Sequence, residues 1–152
     1  YQELIQQTKA LIDGEPDIIA NMANISALLF DALDKVNWAG FYRVQKNELV
    51  LGPFQGKVAC IRIPLGVGVC GVAAKSGEIQ RIADVHQFDG HIACDAASNA
   101  EIVIPVRFND EVVAVLDIDS VAFERFDEDD QQGLISIVNL LEENLVKYNS
   151  SL

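Results

Sequence analysis

The stretch from Glu101 to Asp119 reads EIVIPVRFNDEVVAVLDID, two strand-like runs joined by a polar turn. Apolar residues recur at every second position in both runs, and residues 109–111 supply the turn. A three-residue loop gives the hairpin one wholly apolar face, because it sets these pairs opposite each other: Phe108 and Val112, Val106 and Ala114, Ile104 and Leu116, Ile102 and Ile118. A two-residue loop would set Phe108 against Glu111 and mix the faces, so the pattern favours the longer loop.

The same register places three carboxylates together on the opposite face of the hairpin. Glu101 faces Asp119 and Val103 faces Asp117, while Asp117 and Asp119 share a face because strand side chains alternate. Carboxylates about 5 Å apart resist joint ionisation, so one of them keeps a proton near neutral pH. Such a group can protonate a basic oxygen, and an ionised neighbour can bind a cation such as an amino group. The alternative, that residues 117–120 only end the strand, stays open.

Helical periodicity flanks the strand-like runs. The first apolar stripe comprises Ile18, Met22, Ile25, Leu29, Ala32 and Val36, with Pro16 in the first helical turn. The second comprises Leu134, Ile137, Val138, Leu141 and Leu145. Between them lie further strand-like runs, namely WAGFYRV, ELVLGPF and VACIRI. With no repeat and no linker, the sequence predicts one domain over residues 1–152, of class α+β, with helices bracketing a mainly antiparallel sheet.

Composition limits the partners and the compartment. The net charge of −12 argues against nucleic acid and against anionic membranes. Much of the acidity lies in residues 124–130, which we interpret as a solvated helix start that complements the helix dipole. No apolar run approaches the roughly 20 residues of a membrane span, and the N-terminal segment lacks a basic stretch followed by an apolar one. We expect a cytoplasmic protein.

Three cysteines, Cys60, Cys70 and Cys94, are the other candidates for chemistry. Thiols of intracellular proteins are more often reactive groups than structural disulfides. Arg62 shares a strand face with Cys60 and would favour its thiolate if the side chains approach, and the N-terminus of the helix expected after Cys70 would do the same there. Cys94 lies in the loop-like stretch HIACD, and loops often carry reactive groups. These local arguments leave the nucleophile open, and core packing stays the alternative for Cys60.

Two other interpretations are less favoured. Residues 66–71 read GVGVCG and match G-x-G-x-x-G, but the parallel strand–helix–strand rhythm of dinucleotide-binding folds does not follow. A zinc site would draw its ligands from the three cysteines, His86 and His91, but no C-x-x-C pair is present.

Six segments together resemble a known family. They are WAGFY at 38–42, LGPFQG at 51–56, GVGVCG at 66–71, HIACD at 91–95, EIVIP at 101–105 and LDIDS at 116–120. They resemble the free methionine-(R)-sulfoxide reductases, which are built on a single GAF domain, and the cysteine spacings of ten and twenty-four agree as well. One departure is Ala100, where the family often has Ser.

The resemblance implies a role for each matching residue. Cys94 would be the nucleophile, Cys60 the main resolving thiol and Cys70 an alternative disulfide partner. Glu101 and Asp119 would flank the sulfoxide oxygen, and Asp117 would help to hold the substrate. Trp38 and Tyr42 would line the pocket around the S-methyl end, unless they are plain core aromatics.

The implied activity is reduction of free L-methionine (R)-S-oxide through a cysteine sulfenic acid and a disulfide. Thioredoxin would be the reductant, no metal or organic cofactor would be needed, and a homodimer is expected. The competing prediction is a non-enzymatic GAF module that binds a small ligand or senses redox state.

Overall fold

The computed structural model describes residues 1–90, 97–150 and 152. Within these residues the chain forms four α-helices and six strands, together with one 3-10 turn at Val85–Gln87. The helices are α1 (Gln2–Ile12), α2 (Ile18–Ala32), α3 (Gly68–Ser76) and α4 (Glu128–Tyr148). The strands are β1 (Val36–Gln45), β2 (Glu48–Gly56), β3 (Arg62–Pro64), β4 (Gln80–Ile82), β5 (Ala100–Phe108) and β6 (Glu111–Ser120).

A single six-stranded sheet organises the domain, in the order β3-β2-β1-β6-β5-β4. Every described strand pair is antiparallel. Helices α1, α2 and α4 cover one face, over a core that includes Met22, Phe41 and Leu141, whereas α3 packs on the other face. The predicted class, α+β with helices bracketing an antiparallel sheet, is confirmed.

The β5–β6 hairpin confirms most of the predicted register and corrects its turn. The body pairs Glu101 with Asp119 and Val106 with Ala114, as predicted, but Phe108 pairs with Glu111 across a two-residue turn. The prediction of a three-residue loop was therefore wrong. A β-bulge between Val106 and the next residue absorbs the difference, so a short turn and an apolar face coexist.

The bulge also changes which valine faces the helices. Val113 packs with Phe108 against the core under α1, α2 and α4, while Val112 packs on the opposite face. The prediction that Val112 belongs to the apolar face was therefore wrong, because the extra residue in β6 reverses the alternation at its start.

The long helices agree with the predicted stripes, with different ends. Helix α2 begins at Ile18 behind the N-cap Asp17, so Pro16 precedes the helix, and Val36 already belongs to β1. Helix α4 begins at the acidic cluster, as predicted: Asp127 and Asp130 form a reciprocal capping box.

Two segments of the structure differ from the sequence predictions. Only the last two residues of the run VACIRI belong to a strand, β3 (Arg62–Pro64), so Cys60 lies in an irregular segment between β2 and β3. Helix α1 has no counterpart among the sequence predictions. Among the described residues, none of the helices combines the length and the apolar character that crossing a membrane requires.

Candidate active site

A cavity opens on the face of the sheet that carries α3. Strands β1, β5 and β6 form its floor, and the N-terminal turn of α3 and the segment after β2 form its walls. Its polar and aromatic lining consists of Trp38, Tyr42, Cys70, Ser98, Glu101, Asp117 and Asp119. Six of the eight predicted site residues thus meet in one cavity, because they share one face of adjacent strands or begin the helix above them.

Sheet register gathers the three carboxylates. Glu101 of β5 lies opposite Asp119 of β6, and Trp38 of β1 lies opposite Asp119 on the other side. Gly40 lies opposite Asp117, where a Cβ would come within 2.3 Å of the Cβ of Phe54. Only glycine allows β2 to approach β1 this closely between Trp38 and Tyr42.

Burial makes two of the carboxylates unusual acids. Glu101 is 7% exposed and Asp117 is 5% exposed. Burial first, and then the charge of Asp117, raises the pKa of Glu101 well above its usual range. Burial and the charge of Asp119 raise the pKa of Asp117 in the same way. These two carboxyls therefore keep their protons at pH values at which exposed carboxyls are ionised.

One carboxylate oxygen in the cavity is uncommitted. Oδ1 of Asp117 is buried and accepts no hydrogen bond from the described residues. A buried oxygen without a partner costs free energy, and a ligand with a hydrogen-bond donor can relieve that cost. The position is suited to an amino group.

Cys70 lies at the third residue of α3, where the sequence led us to expect a thiolate favoured by the helix dipole. The thiol instead donates to Oε2 of Glu101 across 3.8 Å and is buried. Burial first, and then the charges of Asp117 and Glu101, raises its pKa well above the usual value. The helix dipole is therefore outweighed, and the group stays a neutral thiol.

Cys60 lies in the irregular segment that adjoins the cavity. It is partly buried and disulfide-bonded, whereas Cys70 is a free thiol. Arg62, which we expected to favour the thiolate of Cys60, is exposed and pairs with a carboxylate instead, since its Nη1 lies 2.6 Å from Oε1 of Glu48. Cys94, the predicted nucleophile, falls outside the described residues.

The aromatic wall is ordered by stacking. The ring centroids of Trp38 and Tyr42 are 5.9 Å apart with nearly parallel planes, and Phe54 stacks on Trp38 at 5.1 Å. Both site aromatics are almost fully buried, so they have a packing role in addition to lining the cavity.

The zinc interpretation finds only partial support in the geometry of the described residues, and two of its proposed ligands, His91 and Cys94, lie outside them. Potential ligand atoms of Cys70, Glu101 and Asp117 lie within 4.8 Å of one another. His86, however, is exposed and does not line the cavity, and its ring is hydrogen-bonded to Asn99. The donor set is two carboxyls and a thiol with raised pKa values, whereas zinc takes deprotonated ligands.

Sequence reasoning missed Ser98, and it missed the hydrogen bonds that Trp38 and Tyr42 donate. Ser98 is buried, lines the cavity and accepts a hydrogen bond from Nδ2 of Asn37 across 3.1 Å. It lies outside the strands, where no periodicity indicates which side chains face inwards. No sequence signal could have found it.

The fold and the cavity define a GAF domain, and the sequence profile of the GAF domain family matches residues 19–145. The chain is 54% identical to the free methionine-R-sulfoxide reductase of Escherichia coli, over 95% of its own length and 88% of that protein. It belongs to the free methionine-R-sulfoxide reductases, a family of oxidoreductases. The resemblance noted in the sequence is confirmed.

Two solved structures of relatives agree with the fold. The enzyme of Staphylococcus aureus, in complex with substrate, superposes with a TM-score of 0.92 at 50% identity and 95% coverage of both chains. The enzyme of Neisseria meningitidis, also in complex with its substrate, superposes with a TM-score of 0.94 at 40% identity, over 98% of this chain and 90% of the other. Both neighbours are free methionine-R-sulfoxide reductases.

Proposed function

We propose that this protein reduces free L-methionine (R)-S-oxide to methionine, with Cys94 as the nucleophile and Cys60 as the main resolving thiol. The observation that carries the proposal is a cavity in which buried, proton-holding carboxylates meet an aromatic wall beside a disulfide-bonded cysteine. Family membership supplies the substrate and its stereochemistry, since relatives of this name are known in complex with substrate.

The carboxyls supply the acid. The pKa of Glu101 is raised by burial and by Asp117, so the side chain keeps its proton at a pH where an exposed carboxyl is ionised. Glu101 and Asp119 flank the sulfoxide oxygen, and the protonated carboxyl donates to it. This proton makes the sulfur of the sulfoxide more electrophilic, which is the contribution of the general acid.

The thiols supply two electrons. The thiolate of Cys94 attacks the activated sulfoxide, and the sulfur–oxygen bond of the substrate breaks as the oxygen, with the proton from the carboxyl, becomes bonded to the Cys94 sulfur. Methionine leaves and Cys94 becomes a sulfenic acid. The thiol of Cys60 then attacks that sulfenic sulfur, a disulfide forms, and the oxygen leaves as water. The disulfide bond at Cys60 supports this role, and the neutral, buried thiol of Cys70 supports leaving it second, as the alternative partner.

Substrate recognition uses the rest of the cavity. The uncommitted oxygen of Asp117 accepts a hydrogen bond from the α-amino group, and Trp38 and Tyr42 enclose the S-methyl end. The ammonium of a free amino acid donates to this oxygen and favours the ionised form of Asp117 when it binds, whereas a residue inside a peptide offers only an uncharged amide. Comparable turnover of N-acetylmethionine sulfoxide would contradict this assignment.

An external dithiol, by family resemblance thioredoxin, restores the enzyme. Val58 and Ile61, close to Cys60 on either side, are 88% and 67% exposed, so the chain around Cys60 lies close to the surface of the described protein. A thiolate of the reductant can attack there through a mixed disulfide. We propose that the protein acts in the cytoplasm as a homodimer and uses no metal or organic cofactor.

The test is an assay that couples NADPH oxidation to thioredoxin, with the separated R and S sulfoxides of free methionine. Wild-type protein should turn over the R form, and Cys94→Ser should lose activity while it stays folded. A non-enzymatic GAF module would bind a ligand without consuming NADPH. Absent activity, or activity that Cys94→Ser leaves unchanged, would overturn the proposal.

A further inference from the structure

Residues 57–60 follow β2 and include Cys60, and Ile61 alone separates them from β3. Residues 57–60 form no helix or strand, so no regular hydrogen-bond ladder fixes their path. Val58 is 88% exposed and contributes little packing. The position of Cys60 is set by its disulfide, by the packing of Ala59 and Cys60 against the core under α3, and by hydrogen bonds to the backbone of the segment.

Two side chains of β1 hold the two ends of this segment. Nε1 of Trp38 donates to the carbonyl of Lys57 across 3.2 Å, and the hydroxyl of Tyr42 donates to the carbonyl of Cys60 across 2.9 Å. Gly56, just before the segment, has φ +132°, and a Cβ there would come within 2.7 Å of Cδ1 of Trp38. The chain thus passes directly over the indole as it leaves β2.

The hydroxyl of Tyr42 keeps the proton that it donates. Burial, and then the negative charge of Asp117, raises the pKa of the hydroxyl well above its usual value. The ring is 2% exposed and stacked on Trp38, so the hydroxyl has little freedom to turn away from its acceptor.

We propose that Tyr42 is a positioning residue for the resolving thiol, in addition to lining the substrate cavity: its hydroxyl holds the backbone of Cys60 where the thiol meets the oxidised nucleophile. This inference rests on the proposed function, because it acts on the resolution step. There the sulfur–sulfur bond forms between Cys60 and Cys94, the sulfur–oxygen bond of the sulfenic acid breaks, and water takes the proton of the Cys60 thiol.

Tyr42→Phe tests the inference, because it keeps the stacked ring and removes only the hydroxyl. Reduced protein is mixed with free methionine (R)-S-oxide without a reductant. Methionine is measured in quenched samples, and dimedone traps the sulfenic acid for mass spectrometry. The ratio of the rate of disulfide formation to the rate of methionine release should fall by about tenfold, the effect of one lost hydrogen bond, and the dimedone adduct should accumulate.

Tyr1→Phe is the matched control. Its hydroxyl also donates a hydrogen bond in a partly buried setting, to Oδ1 of Asp130 across 2.6 Å, but Tyr1 packs against the core on the opposite face of the sheet. That variant should keep the wild-type ratio. If Tyr42→Phe slows both steps by the same factor, or leaves the ratio unchanged, the inference is overturned. If wild-type protein releases no methionine at all, the proposed function fails instead.

A second measurement needs no turnover. Equilibration of the Cys60 disulfide with glutathione buffers reports how well the segment holds Cys60 near its partner. Tyr42→Phe should lower the equilibrium constant for disulfide formation by about tenfold, which raises the reduction potential by about 30 mV. An unchanged potential in a folded variant would contradict the inference.

Discussion

At the scale of single residues, burial decides the protonation of the site. Glu101 and Asp117 are nearly inaccessible, and both have pKa values raised by burial and by neighbouring carboxylates. Sequence predicted that the carboxylates would cluster, because alternation along a strand is reliable. It predicted the opposite protonation tendency for Cys70, because a helix start is visible in a sequence whereas burial against Asp117 is not.

Asp117→Asn should stabilise the protein at alkaline pH. The raised pKa means that the folded state binds a proton that the unfolded state releases above a pH of about 4. The stability from this proton is fully present below that pH and is lost as pH rises through the folded-state pKa. Removing the acid should therefore raise the free energy of unfolding at pH 8 by at least about 1 kcal/mol relative to wild type, with a smaller gain at pH 5.

Urea titrations at the two pH values measure this effect. Asp31→Asn, at an exposed position of α2, is the control and should show little difference between pH 5 and pH 8. A stability gain for Asp117→Asn that is equal at both values, or larger at pH 5, would contradict the raised pKa.

Cys70 should alkylate slowly in the native, reduced protein. Its thiol is buried beside three carboxylates and keeps its proton, whereas alkylation requires the thiolate. We expect iodoacetamide at pH 8 to modify Cys70 at least about 100-fold more slowly than Cys60. Peptide mass spectrometry measures both rates, and the denatured protein, in which the thiols should react alike, is the control. Equal rates in the native protein would show that Cys70 is an available thiolate.

At the scale of elements, the β5–β6 hairpin shows how far a sequence pattern reaches. Periodicity predicted the pairing from Glu101 to Val106 correctly, because a one-residue slip would turn the apolar face to solvent. It failed at the turn, where the bulge beside Val106 reconciles the short turn with the apolar face. Bulges follow from backbone twist and leave no mark in the apolar pattern.

Helix α1 was missed for a related reason. Its buried residues, Leu4, Thr8 and Ile12, follow a four-residue step, but the middle one is polar. Thr8 is tolerated inside because its hydroxyl donates to the carbonyl of Leu4 across 2.8 Å. A stripe that depends on a back-bonded threonine gives a weak apolar signal.

Asp110→Gly should stabilise the hairpin. Asn109 has φ 52° and Asp110 has φ 64°, the left-handed pair that a two-residue type I′ turn requires. Asn-Gly is the preferred sequence for such a turn, so we expect a gain of about 0.5–1 kcal/mol in the free energy of unfolding.

Asp13→Gly is the control for chain flexibility. Asp13 is also exposed but has φ −60°, so glycine there adds freedom to the unfolded chain and relieves no strain. Denaturant titration should show a gain for Asp110→Gly and none for Asp13→Gly. Destabilisation by Asp110→Gly would mean that the turn is not in the left-handed conformation in solution.

At the scale of the whole molecule, the sheet separates two tasks. One face holds the core under α1, α2 and α4, and the other face holds the cavity under α3. This arrangement was predictable in outline from the parity of residues on β1, β5 and β6. The path of residues 57–60 was not, since it depends on hydrogen bonds from Trp38 and Tyr42 that no local pattern encodes.

We propose the terminal helices as the interface of the proposed homodimer. Leu11 of α1, Ile19 of α2 and Val146 of α4 are large apolar residues that are 42–65% exposed in the single chain. We expect light scattering to give twice the chain mass and Val146→Glu to shift the protein towards the monomer. Val121→Glu, at an exposed valine outside these helices, is the control and should remain dimeric. A monomeric wild type would contradict the expected dimer.

The most direct test of the account is a single turnover of fully reduced protein with excess free methionine (R)-S-oxide and no reductant. We predict about one methionine per chain, together with the loss of two thiols, those of Cys60 and Cys94, while Cys70 stays alkylatable after unfolding. Absence of methionine, or methionine formed without the loss of the Cys94 thiol, would contradict the account.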